Sequence, residues 1–420
     1  MLLSIALVLA QATTSFDVAG IHVILRQNAA NNVIAANLYL LGGARQVTEA
    51  NAGIEPVLLD VSERGTTHYP KASLRRAMSR LGSEIVDAAT ADWTMFGIRS
   101  STEVFDSTWS IFADRVMYPA LAQADVNLVK AQYLSGIRQR RDDPDATAEY
   151  LADSITFVGH PYSVSVVGNE KSIQVLDSAA LRRYHATQFV KSRMLLVVVG
   201  NIGRVDIERL VTQSIAKLPA GTYKWVAPPR VPVAPTALVV ERRNLPTNYI
   251  LGYYSGPLAG DADYPALRVA TSVLHGRLFA EIRRRQSLTY EVNAPFIDRA
   301  ATVAGLYVST VAPDTTLRLM HAAILDLQTG TLDPVGLRQL EDQFITEYFL
   351  DNETNAAQAD FLARSQLYEG DYREAEKFVD ELKRVTPEAV QRVARRYMKN
   401  FRFAYVGDPS KLDPRTIALF

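Results

Sequence analysis

Six histidines are the first candidates for chemistry: His22, His68, His160, His185, His275 and His321. A helical zinc pair needs two of them four residues apart, because residues i and i+4 project from one helix face. No two have that spacing, so neither H-E-x-x-H nor the inverted H-x-x-E-H occurs. The chain has no cysteine, which removes thiolate metal sites, cysteine nucleophiles and disulfides. No G-x-S-x-G, P-loop or dinucleotide fingerprint appears. Two stretches keep a chemical interest. Ala52–Thr66, AGIEPVLLDVSERGT, is an apolar helical run between a Gly-Ile entry and Arg64-Gly65-Thr66. Arg283-Arg284-Arg285 is a cationic triplet followed by Tyr290. By itself such a triplet reads as a solvated helix end near the negative pole of the helix dipole.

The elements that must position these residues follow from pattern. Val33–Gly43 is an apolar strand, and a helix is expected from about Ala52. Thr247–Pro257 is a second apolar strand, and a helix is expected from about Asp263. Met194–Asp206 and Phe401–Asp413 share an apolar strand, a Val-Gly pair and a turn. This repetition predicts a tandem duplication. Glu84–Ser101 has the β-branched and aromatic content of paired strands. Leu74, Ala77, Met78 and Leu81 recur at helical spacing, and Asp333–Asn352 reads as a long amphipathic helix. Between the halves, KLPAGTYKWVAPPRVPVAPTA carries five prolines, which favours extended backbone. The expected organisation is an N-terminal domain at 13–220, a Pro-rich linker at 221–237 and a C-terminal domain at 238–420. The fold class is α+β: two duplicated domains, each a mostly antiparallel sheet with helices packed on one face.

Lys plus Arg equals Asp plus Glu, 45 each in 420 residues. A formal charge of zero gives no electrostatic reason for a nucleic-acid partner. Met1–Ala10 is an apolar run broken only by Ser4 and ends at an A-x-A-like site, Ala10-Gln11-Ala12, so residues 1–12 are expected to be a signal peptide and the chain periplasmic or secreted. No Lys or Arg precedes the apolar run. No segment is long and apolar enough to span a membrane.

With these residues in place, the chain resembles the pitrilysin/insulinase family of inverzincin metallopeptidases. The likeness rests on GGAR at Gly42–Arg45, AGIEPVLLDVSERGT, LGSEIVDAATADWTMF at Leu81–Phe96, the stretch Ile137–Ile173 with His160-Pro161-Tyr162, and GRLFAEIRRRQSLTYEVNAPF at Gly276–Phe296. Laid on this sequence, the zinc motif's first His position is Pro56, its general-base Glu position is Leu59 and its second His position is Asp60. The third ligand, a Glu, falls near Gly136, and no carboxylate lies between Ala131 and Arg141. The resemblance therefore implies no metal and no cofactor in this chain, with zinc expected in a partner subunit. It also implies a substrate-binding edge strand at Ala88, Ala89 and Thr90, and an Arg/Tyr pair, Arg283 and Tyr290, that acts on the carbonyl of a peptide in the partner's site. The implied protein is half of a clamshell: the non-catalytic subunit of a heterodimeric zinc peptidase, inactive alone, with a homologous zinc-bearing partner and a peptide substrate. The alternative is a structural or interaction subunit, similar to zinc-less core subunits, with no role in cleavage.

Overall fold

The computed structural model describes residues 13–420, so residues 1–12 and the signal-peptide expectation lie outside the described residues. The chain divides into two compact units. The first comprises residues up to Ser135, Val164–Val226 and Asp351–Arg364, and the second comprises Gly136–Ser163, Ala227–Leu350 and Ser365–Phe420.

The first unit holds β1 (Thr13–Val18), β2 (Ile21–Gln27), β3 (Val33–Leu41), β4 (Glu84–Ala89), β5 (Trp93–Ser101) and β6 (Met194–Gly200). They form one sheet in the order β1-β2-β6-β3-β5-β4. Only β2 and β6 pair in parallel; the other neighbours are antiparallel. β3 and β6 are almost wholly buried, and both read as near-continuous apolar runs because each is covered on two faces. On one face Leu38 of β3 stands opposite Phe96 of β5. The Phe96 ring stacks on Phe112 of the Phe105–Met117 helix, with centroids 5.0 Å apart.

The second unit holds β7 (Ala237–Arg242), β8 (Asn248–Leu258), β9 (Thr289–Asn293), β10 (Phe296–Ile297), β11 (Ala301–Thr310) and β12 (Arg402–Gly407). The order is β10-β11-β8-β12-β7, and β9 also pairs with β11. Again one pair, β7 and β12, is parallel. The path β2-β6-β3-β5-β4 is therefore repeated as β7-β12-β8-β11 with β9 and β10 in the place of β4. The strands that the sequence pairs as repeats, β3 with β8 and β6 with β12, occupy equivalent positions. The core of this unit lies between the sheet face carrying Ile250, Tyr254, Leu306 and Phe403 and the Tyr264–Leu278, Pro313–Thr329 and Pro387–Tyr397 helices. Gly252 is required by close approach: a Cβ there would lie 2.3 Å from the Phe403 ring.

Each sheet also receives a helix on its second face. In the first unit, Asp360 of the Asn355–Tyr368 helix accepts hydrogen bonds from Asn37 at 3.1 Å and from the Tyr39 hydroxyl. In the second, the Pro144–Thr156 helix lies on β8 and β12, and Asp145 accepts from the Tyr307 hydroxyl. Each covering helix comes from the opposite half of the sequence. A central strand with apolar or aromatic residues on both faces requires such a cover, since burying Tyr39 and Tyr253 removes large areas from water.

Candidate functional site

Pro56, Leu59 and Asp60 lie on the Ile54–Ser62 helix. Gly53 starts it in the left-handed region at φ 86°, and a Cβ at that position would lie 2.8 Å from the Val167 carbonyl oxygen. Pro56 is tolerated because first-turn amides have no intrahelical acceptor. Pro56, Asp60 and Glu63 recur at i, i+4 and i+7 on the more open face, whereas Leu59 is buried. Gly136 is on the Gln123–Asp142 helix with open space where a Cβ would stand.

A charged cluster surrounds Asp60. The Tyr133 hydroxyl lies near enough to the Asp60 carboxylate to favour its charged form. Arg115 is 4% exposed, and its guanidinium lies 4.6 Å from the centre of the Phe96 ring. It donates to Ser62 Oγ at 3.1 Å and to the Leu59 carbonyl at 3.4 Å. It also stands 3.6 Å from Glu63 and 4.0 Å from Asp87 of β4. Burial, then the charges of Asp60 and Glu63, push the Asp87 carboxyl up to about 6, against the lowering effect of Arg115. Burial likewise raises Asp60, and it lowers Arg115 against the opposing pull of Glu63, Asp87 and Asp60. These residues do not fit a zinc ion. The side chains of Pro56 and Leu59 carry no donor atom, Asp60 alone cannot hold a tetrahedral ion, and the Arg115 guanidinium already supplies the local positive charge. No group of three metal-binding side chains occurs among the described residues. His160 is a satisfied histidine: Nε2 meets the Pro229 carbonyl at 2.9 Å, and Nδ1 accepts from the Tyr162 amide at 3.1 Å.

Directly behind Pro56 is a second polar cluster. Glu55 is 4% exposed. It pairs with Arg193 at 2.9 Å, accepts from the Tyr184 hydroxyl at 2.6 Å and accepts from Thr94 of β5. Arg193 also donates to the Leu41 carbonyl at 2.8 Å. The pair locks the start of the Ile54–Ser62 helix to β3, β5 and the Ser178–Gln188 helix. A small pocket beside it is lined by Glu55, Pro56, Ala89, Thr90 and Thr94.

Ala88 and Ala89 end β4, the terminal strand of its sheet. Its outer edge pairs with no strand among the described residues, which leaves main-chain groups of the kind that accept an added strand. Thr90 lies just past β4 and closes the turn into β5, its Oγ1 donating to the Trp93 carbonyl at 2.8 Å.

Arg283 and Tyr290 come together in the second unit. Arg283 is in the Phe279–Arg285 segment, a π-helical continuation of the Tyr264–Leu278 helix. Ser287 turns the chain at φ 52°, and Tyr290 is the second residue of β9. The Arg283 guanidinium carbon lies 5.2 Å from the centre of the Tyr290 ring, and Tyr290 is 83% exposed. π-helical turns occur frequently at functional sites. β9 holds the place in its sheet that β4 holds in the other, so both candidate features sit at equivalent sheet edges.

Sequence reasoning missed Arg115, Asp87, Tyr133 and the Glu55–Arg193 pair. A signal existed for three of them. Arg115 follows Phe112 by three residues on the buried stripe of its helix, Asp87 interrupts an apolar strand, and Glu55 shares a face with Leu58, Leu59 and Ser62.

Residues 176–339 match the family described as Peptidase M16 inactive domain. The chain is 25% identical over 391 residues to an uncharacterized zinc protease of Mycobacterium bovis, covering 90% of this chain and 88% of that protein. It is 22% identical over 262 residues to the mitochondrial-processing peptidase subunit beta of Blastocladiella emersonii, covering 61% and 55%. A crystal structure of a peptidase M16 inactive domain from Pseudomonas fluorescens superposes with a TM-score of 0.87 at 19% identity, covering 94% of this chain and 98% of that one. A protease structure from Helicobacter pylori gives 0.86 at 16%, covering 94% and 99%. The superpositions show a two-domain α+β fold shared with these proteins. Residues 176–339 are thus similar to the M16 inactive domain, and the chain is similar over 90% of its length to a protein named a zinc protease.

Proposed function

We propose that this chain is the non-catalytic subunit of a two-chain zinc metallopeptidase. A homologous partner holds the zinc, and this chain contributes Arg283 and Tyr290 to the peptide carbonyl at the partner's site. The reading is carried by one contrast. The positions 56, 59, 60 and 136 offer no ligand set, whereas Arg283 and Tyr290 are stacked, exposed and directed from adjoining elements. A guanidinium and a phenol can both donate hydrogen bonds to an oxygen that gains charge as the tetrahedral intermediate forms. Such bonds strengthen on the way to the transition state and so raise turnover rather than ground-state affinity. The open edge of β4 at Ala88 and Ala89 offers main-chain pairing to an extended peptide. The A-x-A-like site at Ala10–Ala12 supports a periplasmic or secreted location.

The test is reconstitution. The chain is mixed with a homologous H-x-x-E-H-bearing chain from the same organism, and cleavage of a fluorogenic peptide library is measured for each chain alone and for the pair. Cleavage by the pair, with none by this chain alone, is expected. Cleavage by this chain alone, or an unchanged rate for the homologue when it is added, overturns the proposal.

A further inference from the structure

The Arg283–Tyr290 contact is part of a longer array. The guanidinium carbons of Arg283 and Arg284 lie 5.1 and 5.0 Å from the centre of the same ring, Phe279. Phe279 is partly buried and packs against the core of its unit. Arg283 also reaches Tyr290, so Arg284, Phe279, Arg283 and Tyr290 form a ladder. The π-helical turn explains the sharing. A turn closed from i to i+5 sets residue 279 beneath both 283 and 284, which the 3.6-residue α-turn does not.

The neighbouring acids leave this ladder charged. Glu281 is taken by Arg285 at 2.5 Å and by the Gln286 amide at 3.0 Å. Glu291 follows Tyr290 on a strand, so it points to the opposite face, where its charge acts on Tyr307. Neither Arg283 nor Arg284 forms an ion pair among the described residues, and both are exposed. Stacking fixes the planar guanidinium, so less side-chain freedom is lost when it binds a carboxylate through two parallel N–H donors.

We infer that Arg284, beside Arg283, forms a subsite for a side-chain carboxylate, so that the peptides taken by this chain are acidic ones. The inference rests on the reading of Arg283 and Tyr290 as a peptide-facing pair, yet it is tested on the chain alone. Fluorescence anisotropy is measured with a labelled, C-terminally amidated decapeptide carrying a central Glu-Glu, and with its Gln-Gln and Lys-Lys counterparts. Two parallel charge-assisted N–H donors bind a carboxylate more strongly than a neutral amide, and tenfold corresponds to about 1.4 kcal/mol. The Glu peptide is therefore expected to bind about tenfold more tightly than the Gln peptide at low salt. The Lys peptide should bind more weakly than either, and the preference should shrink as salt is raised. Arg284→Ala, a surface change checked by circular dichroism, should bring the Glu preference below about threefold. Equal binding of the Glu and Gln peptides, no binding of the Glu peptide, or an undiminished preference in Arg284→Ala overturns it. Turnover of the reconstituted pair plays no part in these readouts, so this subsite and the shared-catalysis proposal can fail separately.

Discussion

The guanidinium of Arg283 lies over the ring of Tyr290, 5.2 Å from its centre, although the two belong to different elements and are separated by the turn at Ser287. The contact holds two hydrogen-bond donors side by side at the edge of a sheet. Arg283→Ala and Tyr290→Phe, each in the reconstituted two-chain complex, should lower kcat by roughly 10²–10³-fold, the usual cost of losing one oxyanion donor. Gel filtration should show assembly unchanged. Parental turnover in both variants would make this chain a structural subunit.

Zinc content gives a second check. Pro56, Leu59 and Gly136 have no donor side chain, and Arg115 places a cation beside Asp60. Elemental analysis of the purified chain should find no stoichiometric zinc, and a chelator should leave its thermal unfolding unchanged. One tightly held zinc per chain would contradict this.

Arg115 is buried among Asp60, Glu63 and Asp87. Removing one partner of a buried charge group costs about 3–5 kcal/mol because the remaining charges stay desolvated. Arg115→Met should therefore lower the urea midpoint, and more at pH 8 than at pH 5, since the acids left behind are ionised at the higher pH. A loss independent of pH would show that packing on Phe96, rather than charge, is what Arg115 contributes.

Asp87 supplies a pH dependence of definite sign. Its folded carboxyl titrates near 6 rather than 3.8, first through burial and then through Asp60. The folded state therefore keeps a proton that the unfolded chain releases. Stability is unpenalised below about pH 4 and falls as pH rises through 6, by about 3 kcal/mol for a shift of this size. Asp87→Asn cannot ionise, so the variant should gain on the parent between pH 4 and 7 in urea unfolding. Parallel pH profiles for the two proteins would rule this out.

Glu55 and Arg193 pair in the interior across 138 residues of sequence. Glu55→Ala strands the Arg193 charge and removes the acceptor of the Tyr184 hydroxyl, so a loss of about 3–5 kcal/mol is expected. A thermal shift of less than a degree would show that water replaces the carboxylate.

Much of this was already written in residue types and periodicity. Donor chemistry belongs to the side chain, so it is legible without coordinates that Pro56, Leu59 and Gly136, the positions onto which the resemblance lays the zinc motif, offer no ligand atom. The alternation and length of apolar runs placed β3, β6, β8 and β12, and their repetition announced two similar sheets. What tertiary structure alone decided is which distant segments meet. The helix covering the second face of the first sheet comes from the far half of the chain, with Asp360 on Tyr39 across 321 residues. An apolar strand face states that it must be covered, but not by what. The same holds for charge. Asp87, Arg115 and Tyr133 are ordinary residues in sequence, and only the close approach of β4 to three helices desolvates them together and shifts their protons. Proximity and burial are properties of the folded chain, because both depend on atoms that the local sequence does not contain.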